Sequence, residues 1–118
     1  MTTEPRRTTA LVIPVDGNPY VEEFVPDKEG DSCKFLKAKI AEIFSIFAFR
    51  KSGTAADAYC DDEGQLKGLP LNKNALKLVG YPLVGTVVVL GKCNRWGYST
   101  SVPKLILADM QTGIETTE

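Results

Sequence analysis

The sequence predicts an α+β domain with a mostly antiparallel sheet and helices packed on one face. Three observations carry this. Short apolar, β-branched runs are separated by turn chemistry, so neighbouring strands join as hairpins. Phe35, Leu36, Ile40 and Ile43 recur at helical spacing. Thr86-Val87-Val88-Val89-Leu90 is apolar without alternation, as expected of a central strand covered on both faces. The opening hairpin followed by a helix is also like that of a β-grasp arrangement.

The elements follow in order. Residues 1–8 read as a disordered polar tail, and the single domain runs from 9 to 112. Ala10–Val15 is a strand rich in β-branched residues, with an edge or bulge at Pro14, which has no ladder donor. Asp16-Gly17-Asn18-Pro19 turns the chain into Tyr20–Val25. Asp31 or Ser32 caps a helix over about 32–42. Ile43–Phe49 fits either a continuation of that helix or a strand. Its aromatic and β-branched content favours a strand over 43–50. After a loop at 51–56, Asp57–Asp61 pairs with 43–50 as a short strand. Val84–Lys92 holds the central strand, and Tyr98-Ser99-Thr100 forms an edge strand. Ser101 and Pro103 start a terminal helix that reaches Met110 and ends at Gly113, with 113–118 loose.

One stretch reads as a signature: Asp61-Asp62-Glu63-Gly64-Gln65-Leu66-Lys67-Gly68-Leu69-Pro70-Leu71-Asn72-Lys73. Asp61–Gly64 supplies turn chemistry, with Gly64 free to take positive φ. Pro70 fixes its own φ and holds Leu69 extended. Leu69 and Leu71 are expected in the core. Asn72 is placed as N-cap of a helix over 73–79, and Gly80 as its left-handed C-terminal residue.

Ala10-Leu11-Val12-Ile13-Pro14-Val15-Asp16-Gly17-Asn18-Pro19-Tyr20, then Asp62–Asn72, then Val84-Gly85-Thr86-Val87-Val88-Val89-Leu90-Gly91, together resemble the family catalogued as domain of unknown function 3846. That pattern is a Pro-containing apolar strand, an Asn-Glu-Glu-Gly-like turn, a Leu-Pro-Leu-Asn element and an Ile-x-Gly-x-hydrophobic strand. Here Asp61-Asp62 replaces Asn-Glu, and Ala41-Glu42 replaces a common Gly pair. The resemblance covers about residues 10–92. It implies a setting among bacteriophages, large algal viruses and some microbes, and a viral-like accessory role. It brings no catalytic residue with it.

Composition narrows the chemistry. At 118 residues, 43% hydrophobic and 25% charged, the chain suits one globular domain. A net charge of −1 argues against a nucleic-acid binder, which needs a basic surface to displace counterions. No apolar run approaches a membrane span, and Pro14 interrupts the only early apolar stretch, so neither a membrane segment nor a signal peptide is expected. Three cysteines at long spacings, Cys33, Cys60 and Cys93, suit reduced thiols in the cytoplasm.

The chain contains no histidine, which removes Ser-His-Asp and Cys-His arrangements and His-ligated zinc. No phosphate-binding glycine loop occurs. No cofactor and no metal site are therefore expected. Two groups remain as candidate ligand- or partner-binding residues. Asp61, Asp62 and Glu63, with Asn72, would edge a cleft. Arg95, Trp96 and Tyr98 combine a cation with two aromatics on a turn, a composition suited to interfaces. Most simply, Asp61–Glu63 is a solvated turn and Trp96 closes one end of the core. The composition favours a non-catalytic binding or accessory module for a protein partner or small ligand. The alternative is a small enzyme using carboxylate or thiol chemistry near Cys60–Glu63, which would need one carboxyl titrating well above its usual range.

Overall fold

The computed structural model describes residues 7–26, 33–51, 53–92 and 100–108. The elements are β1 (Thr8–Ile13), β2 (Tyr20–Phe24), α1 (Cys33–Lys39), β3 (Phe44–Lys51), β4 (Thr54–Asp61), α2 (Lys73–Val79) and β5 (Val87–Gly91). A short helix, α3, covers 104–108. The strands form one sheet in the order β2-β1-β5-β4-β3, and every neighbouring pair is antiparallel. This is the α+β architecture the sequence predicts.

β5 sits at the centre because its side chains are apolar in both directions. Val87 and Val89 face one cluster with Leu11, Ile13, Phe49, Ala56, Ala58, Leu78 and Ile106. Val88 and Leu90 face another with Ala10, Val12, Leu36 and Tyr59. The register Leu11↔Val89, Val12↔Val88, Ile13↔Val87 keeps both sets in phase.

Helices therefore cover both faces, not one. α1 contributes Leu36 to the second cluster, while α2 and α3 contribute Leu78 and Ile106 to the first. A sheet whose central strand is apolar on both sides requires cover on both. α1 is also tied to the hairpin, by a stacked Phe24–Phe35 pair at 4.0 Å and a Lys39–Glu22 ion pair at 2.6 Å. The likeness to a β-grasp stops at the opening hairpin and helix, because β1 and β5 run antiparallel.

Boundaries shift for local reasons. β1 ends at Ile13, since Pro14 cannot continue the ladder, and it starts at Thr8, which is buried opposite Phe24. Thr8 thus belongs to the sheet and not to a tail. The ambiguous segment is strand β3, paired to β4 over eight residues from Phe44↔Asp61 to Lys51↔Thr54. The expected loop at 51–56 is largely strand, since β3 runs to Lys51 and β4 begins at Thr54, with Gly53 at φ 77°. Thr100 bridges to Gly91. The other residues of the expected edge strand lie outside the described residues, as does the terminal helix beyond 108. Among the described residues no helix is long and apolar enough to cross a membrane.

Candidate functional site

Residues 61–72 close the end of the sheet where β4 stops and β5 begins. Backbone bonds wind the turn tightly: Gly64 N–H donates to Asp61 O at 3.1 Å, Lys67 to Glu63 O at 3.0 Å and Leu69 to Gly64 O at 3.0 Å. Gly64 does not take the expected positive φ. A Cβ there would lie 2.7 Å from Val84 Cγ2, so a larger residue would displace the Val84 side chain. Beyond the turn the chain runs antiparallel to 83–85, with Leu71 bridged to Val84, Gly85 N–H on Pro70 O and Asn72 N–H on Leu83 O.

Asn72 is fully buried and has every polar group of its side chain engaged. Its amide donates to Ile13 O and to Gly85 O, both at 2.8 Å, and its oxygen accepts from Ala75 N–H at 3.0 Å. It caps α2 as the sequence predicts, and Gly80 ends that helix in the left-handed region at φ 81°. One residue thus joins the end of β1, the approach to β5 and the start of α2. The two leucines anchor less than expected. Leu69 is half-buried against Gly85, and Leu71 is 41% exposed. Backbone pairing and the Asn72 amide hold the segment, so Leu71 is free to face outward.

The carboxylates separate by role. Asp61 is nearly buried, accepting from Lys67 Nζ at 2.8 Å and from Glu63 N–H at 2.9 Å. Those two donors, Lys67 first, hold its carboxyl below the usual carboxylate range, and the same contact raises the Lys67 ammonium. Asp62 is exposed and accepts from Ser45 Oγ. Glu63 points into solvent. The Cys60 thiol is free and half-buried, and burial, then the charges of Asp61 and Asp62, push its pKa up. Cys60 is therefore held as a thiol, which is a poor nucleophile. Among the described residues no cluster of three metal-ligating side chains occurs.

Two clefts flank this turn. One, of about 290 Å³, lies between the turn and the 81–84 segment, lined by Ser45, Asp62, Gln65, Leu66, Tyr81 and Pro82 among others. Leu66 is 88% exposed at its rim, and Tyr81 stacks on Phe47 at 4.5 Å. The other, of about 440 Å³, is lined by Asp16, Ile40, Lys67, Leu69 and Thr86 among others. Asp61 borders both. Asn72 lines neither, since its side chain is consumed inside the fold. Arg95, Trp96 and Tyr98 lie outside the described residues.

The sequence model of the family described as Domain of unknown function (DUF3846) matches residues 8–114. The chain belongs to the DUF3846 family. A search of the curated proteins gives no match to this DUF3846 member. Among solved structures, the chain described as "Crystal structure of small RNA methyltransferase HEN1" superposes with a TM-score of 0.65 at 16% identity. The alignment covers 94% of the DUF3846 domain and 17% of that chain, and at this identity it shows a shared fold alone.

Sequence reasoning missed Leu66 and Tyr81 as cleft residues. The signal was available for Leu66, an apolar residue between two glycines of a polar turn. Tyr81 carries no such signal in its own neighbourhood, and only its stacking on Phe47 reveals its position.

The Asp61–Lys67 pair sets a pH dependence. A carboxyl with a lowered pKa in the folded state adds stability above its unfolded value, near about 3.9, and loses it as pH falls through the folded value. Asp61→Asn is expected to be less stable than the wild type at neutral pH, with the difference closing below about pH 4. Urea titrations across that range check this. A constant difference at every pH would remove the ion pair from the account.

Proposed function

We propose that this DUF3846 domain is a non-catalytic binding module that takes an apolar side chain of a protein partner into the cleft between the 61–66 turn and Tyr81–Val84. The observation that carries the reading is Leu66, held 88% exposed by a tightly hydrogen-bonded turn beside the Phe47–Tyr81 stack. Leu66 does not stand alone: Tyr81, 49% exposed, and Pro82 line the same cleft, and an apolar grouping of this kind at a cleft suits a partner's side chain. Asp62 and Gln65 give that cleft a polar rim.

The state of the nearby titratable groups supports binding over catalysis. Asp61 is ion-paired and shifted down, and Cys60 is shifted up, whereas a general base or thiolate nucleophile needs the opposite. The near-neutral charge balance favours a protein over nucleic acid as partner. Arg95, Trp96 and Tyr98 are a second candidate contact on composition alone. The odd cysteine count and the free Cys60 support a reducing, cytoplasmic compartment, and an accessory role of the viral kind rests on the family resemblance.

Titration of the isotope-labelled domain with short apolar peptides and aromatic fragments, followed by amide chemical shifts, tests the reading. Shifts are expected to cluster at Ser45, 60–66 and 81–84. Leu66→Asp should weaken the best peptide at least about tenfold while leaving the rest of the spectrum unchanged. Shifts clustered elsewhere, or affinity indifferent to Leu66→Asp, would overturn it.

A further inference from the structure

Among the described residues the sheet has two open edges, and they are built differently. β2 is five residues long, carries Glu22 and Glu23, and lies between Pro19 and Pro26. Short length, charge and flanking prolines are the devices that keep an edge from pairing. β3 has none of them over its first six residues, Phe44-Ser45-Ile46-Phe47-Ala48-Phe49.

The register shows what β3 presents outward. Asp62 N–H donates to Ile43 O, so Ile43 turns its backbone toward the β4 side. Alternation then turns the N–H and C=O groups of Phe44, Ile46, Ala48 and Arg50 to the open edge. Among the described residues none of these backbone groups has a partner across that edge. Ile46 is 59% exposed beside it, with Ala48 also exposed.

Charge along this edge is dipolar. Glu42 and Asp62 lie at the start of β3, both exposed, and Arg50 and Lys51 lie at its end. Under a two-fold axis an antiparallel copy of the same strand sets the acidic end of one against the basic end of the other. An extended segment from an unrelated protein has no reason to match that pattern, whereas a second copy of this chain matches it automatically.

We propose that two copies of the chain pair through β3 in antiparallel register about Phe47, forming one continuous ten-stranded sheet. Ile46 of each copy sits opposite Ala48 of the other, and Phe44 opposite Arg50, so all four outward residues find backbone partners. Glu42 comes within diagonal reach of the other copy's Arg50. The pairing is independent of the cleft at Leu66.

Sedimentation equilibrium over a wide concentration range tests it, using the full chain. The wild type is expected to dimerise reversibly. Ile46→Lys, at an exposed position, should leave a folded monomer by circular dichroism. The charge reversal Arg50→Glu with Lys51→Glu should weaken self-association at least about tenfold, since both symmetric contacts become repulsive. Glu42→Lys should weaken it likewise. An equimolar mixture of the two charge variants should restore a heterodimer, because each altered end then meets its complement. A wild type that stays monomeric at every concentration overturns the proposal. So does a dimer indifferent to Ile46→Lys, or charge variants that fail to rescue each other.

Discussion

Asn72→Ala is expected to cost about 4 kcal/mol of folding stability. The substitution removes the α2 cap, worth about 1 kcal/mol. It also leaves the carbonyls of Ile13 and Gly85 buried without a donor, at about 1–2 kcal/mol each. A domain of this size has about 5–15 kcal/mol in total, so the variant is left marginal. Asn72→Asp separates the two roles. Its carboxylate still accepts from Ala75 N–H, but faces two carbonyl oxygens at positions that require donors. Its loss at neutral pH should equal or exceed that of alanine, and should shrink on acidification, because a protonated carboxyl can donate to one carbonyl. Urea unfolding of both variants at neutral and acid pH checks this. A loss near 1 kcal/mol for alanine would reduce Asn72 to an ordinary helix cap.

Gly91→Ala is expected to cost about 3 kcal/mol, a fall of roughly 12 °C in Tm. Gly91 ends β5 where the chain returns through 100–102. Its N–H donates to Thr100 O, and a Cβ would overlap Thr100 Oγ1 and the backbone oxygen of Ser101. Part of the obstruction is backbone, and the 101–102 segment is fixed on its far side by Val102 N–H on Thr9 O and by Thr9 N–H on Ser101 Oγ. Relief therefore requires the end of the sheet to open. Calorimetry of Gly91→Ala beside Gly17→Ala checks the reason. Gly17 has positive φ but open space around it, so its loss should be about 1 kcal/mol, from backbone strain alone. Equal losses at the two sites would mean that close approach at Gly91 plays no part.

Much of this architecture is legible in the residues. The alternation-free run at 87–90 identifies the central strand, and the Asn72–Gly80 pair marks both ends of α2, because each is a local signal with one cheap structural solution. The placement of α1 was not legible. Phe35, Leu36 and Ile40 show that the helix has an apolar face, but nothing in its own spacing says which side of the sheet receives that face. The depth of Leu71 was misjudged for a similar reason. Pro70 and the leucines resemble a buried latch, yet the segment is held by pairing with residues 83–85, and only the fold discloses that pairing.

The candidate site was legible in part. Asp61–Glu63 stands out by charge density, and the turn does border both clefts. The division of labour within it depends on Lys67, six residues along the chain from Asp61, and on Ser45, seventeen away from Asp62. Tyr81 becomes a wall of the cleft only by stacking on a strand that the sequence left open between two assignments.

The claim on which the rest stands is that Asn72 ties three elements together from inside the fold. Hydrogen exchange of its side-chain amide, followed by NMR, addresses that most directly. Both Nδ2 protons should exchange only with global unfolding, together with the backbone amides of Val88 and Val89. Rapid exchange of those protons in a domain whose β5 amides stay protected would contradict the account.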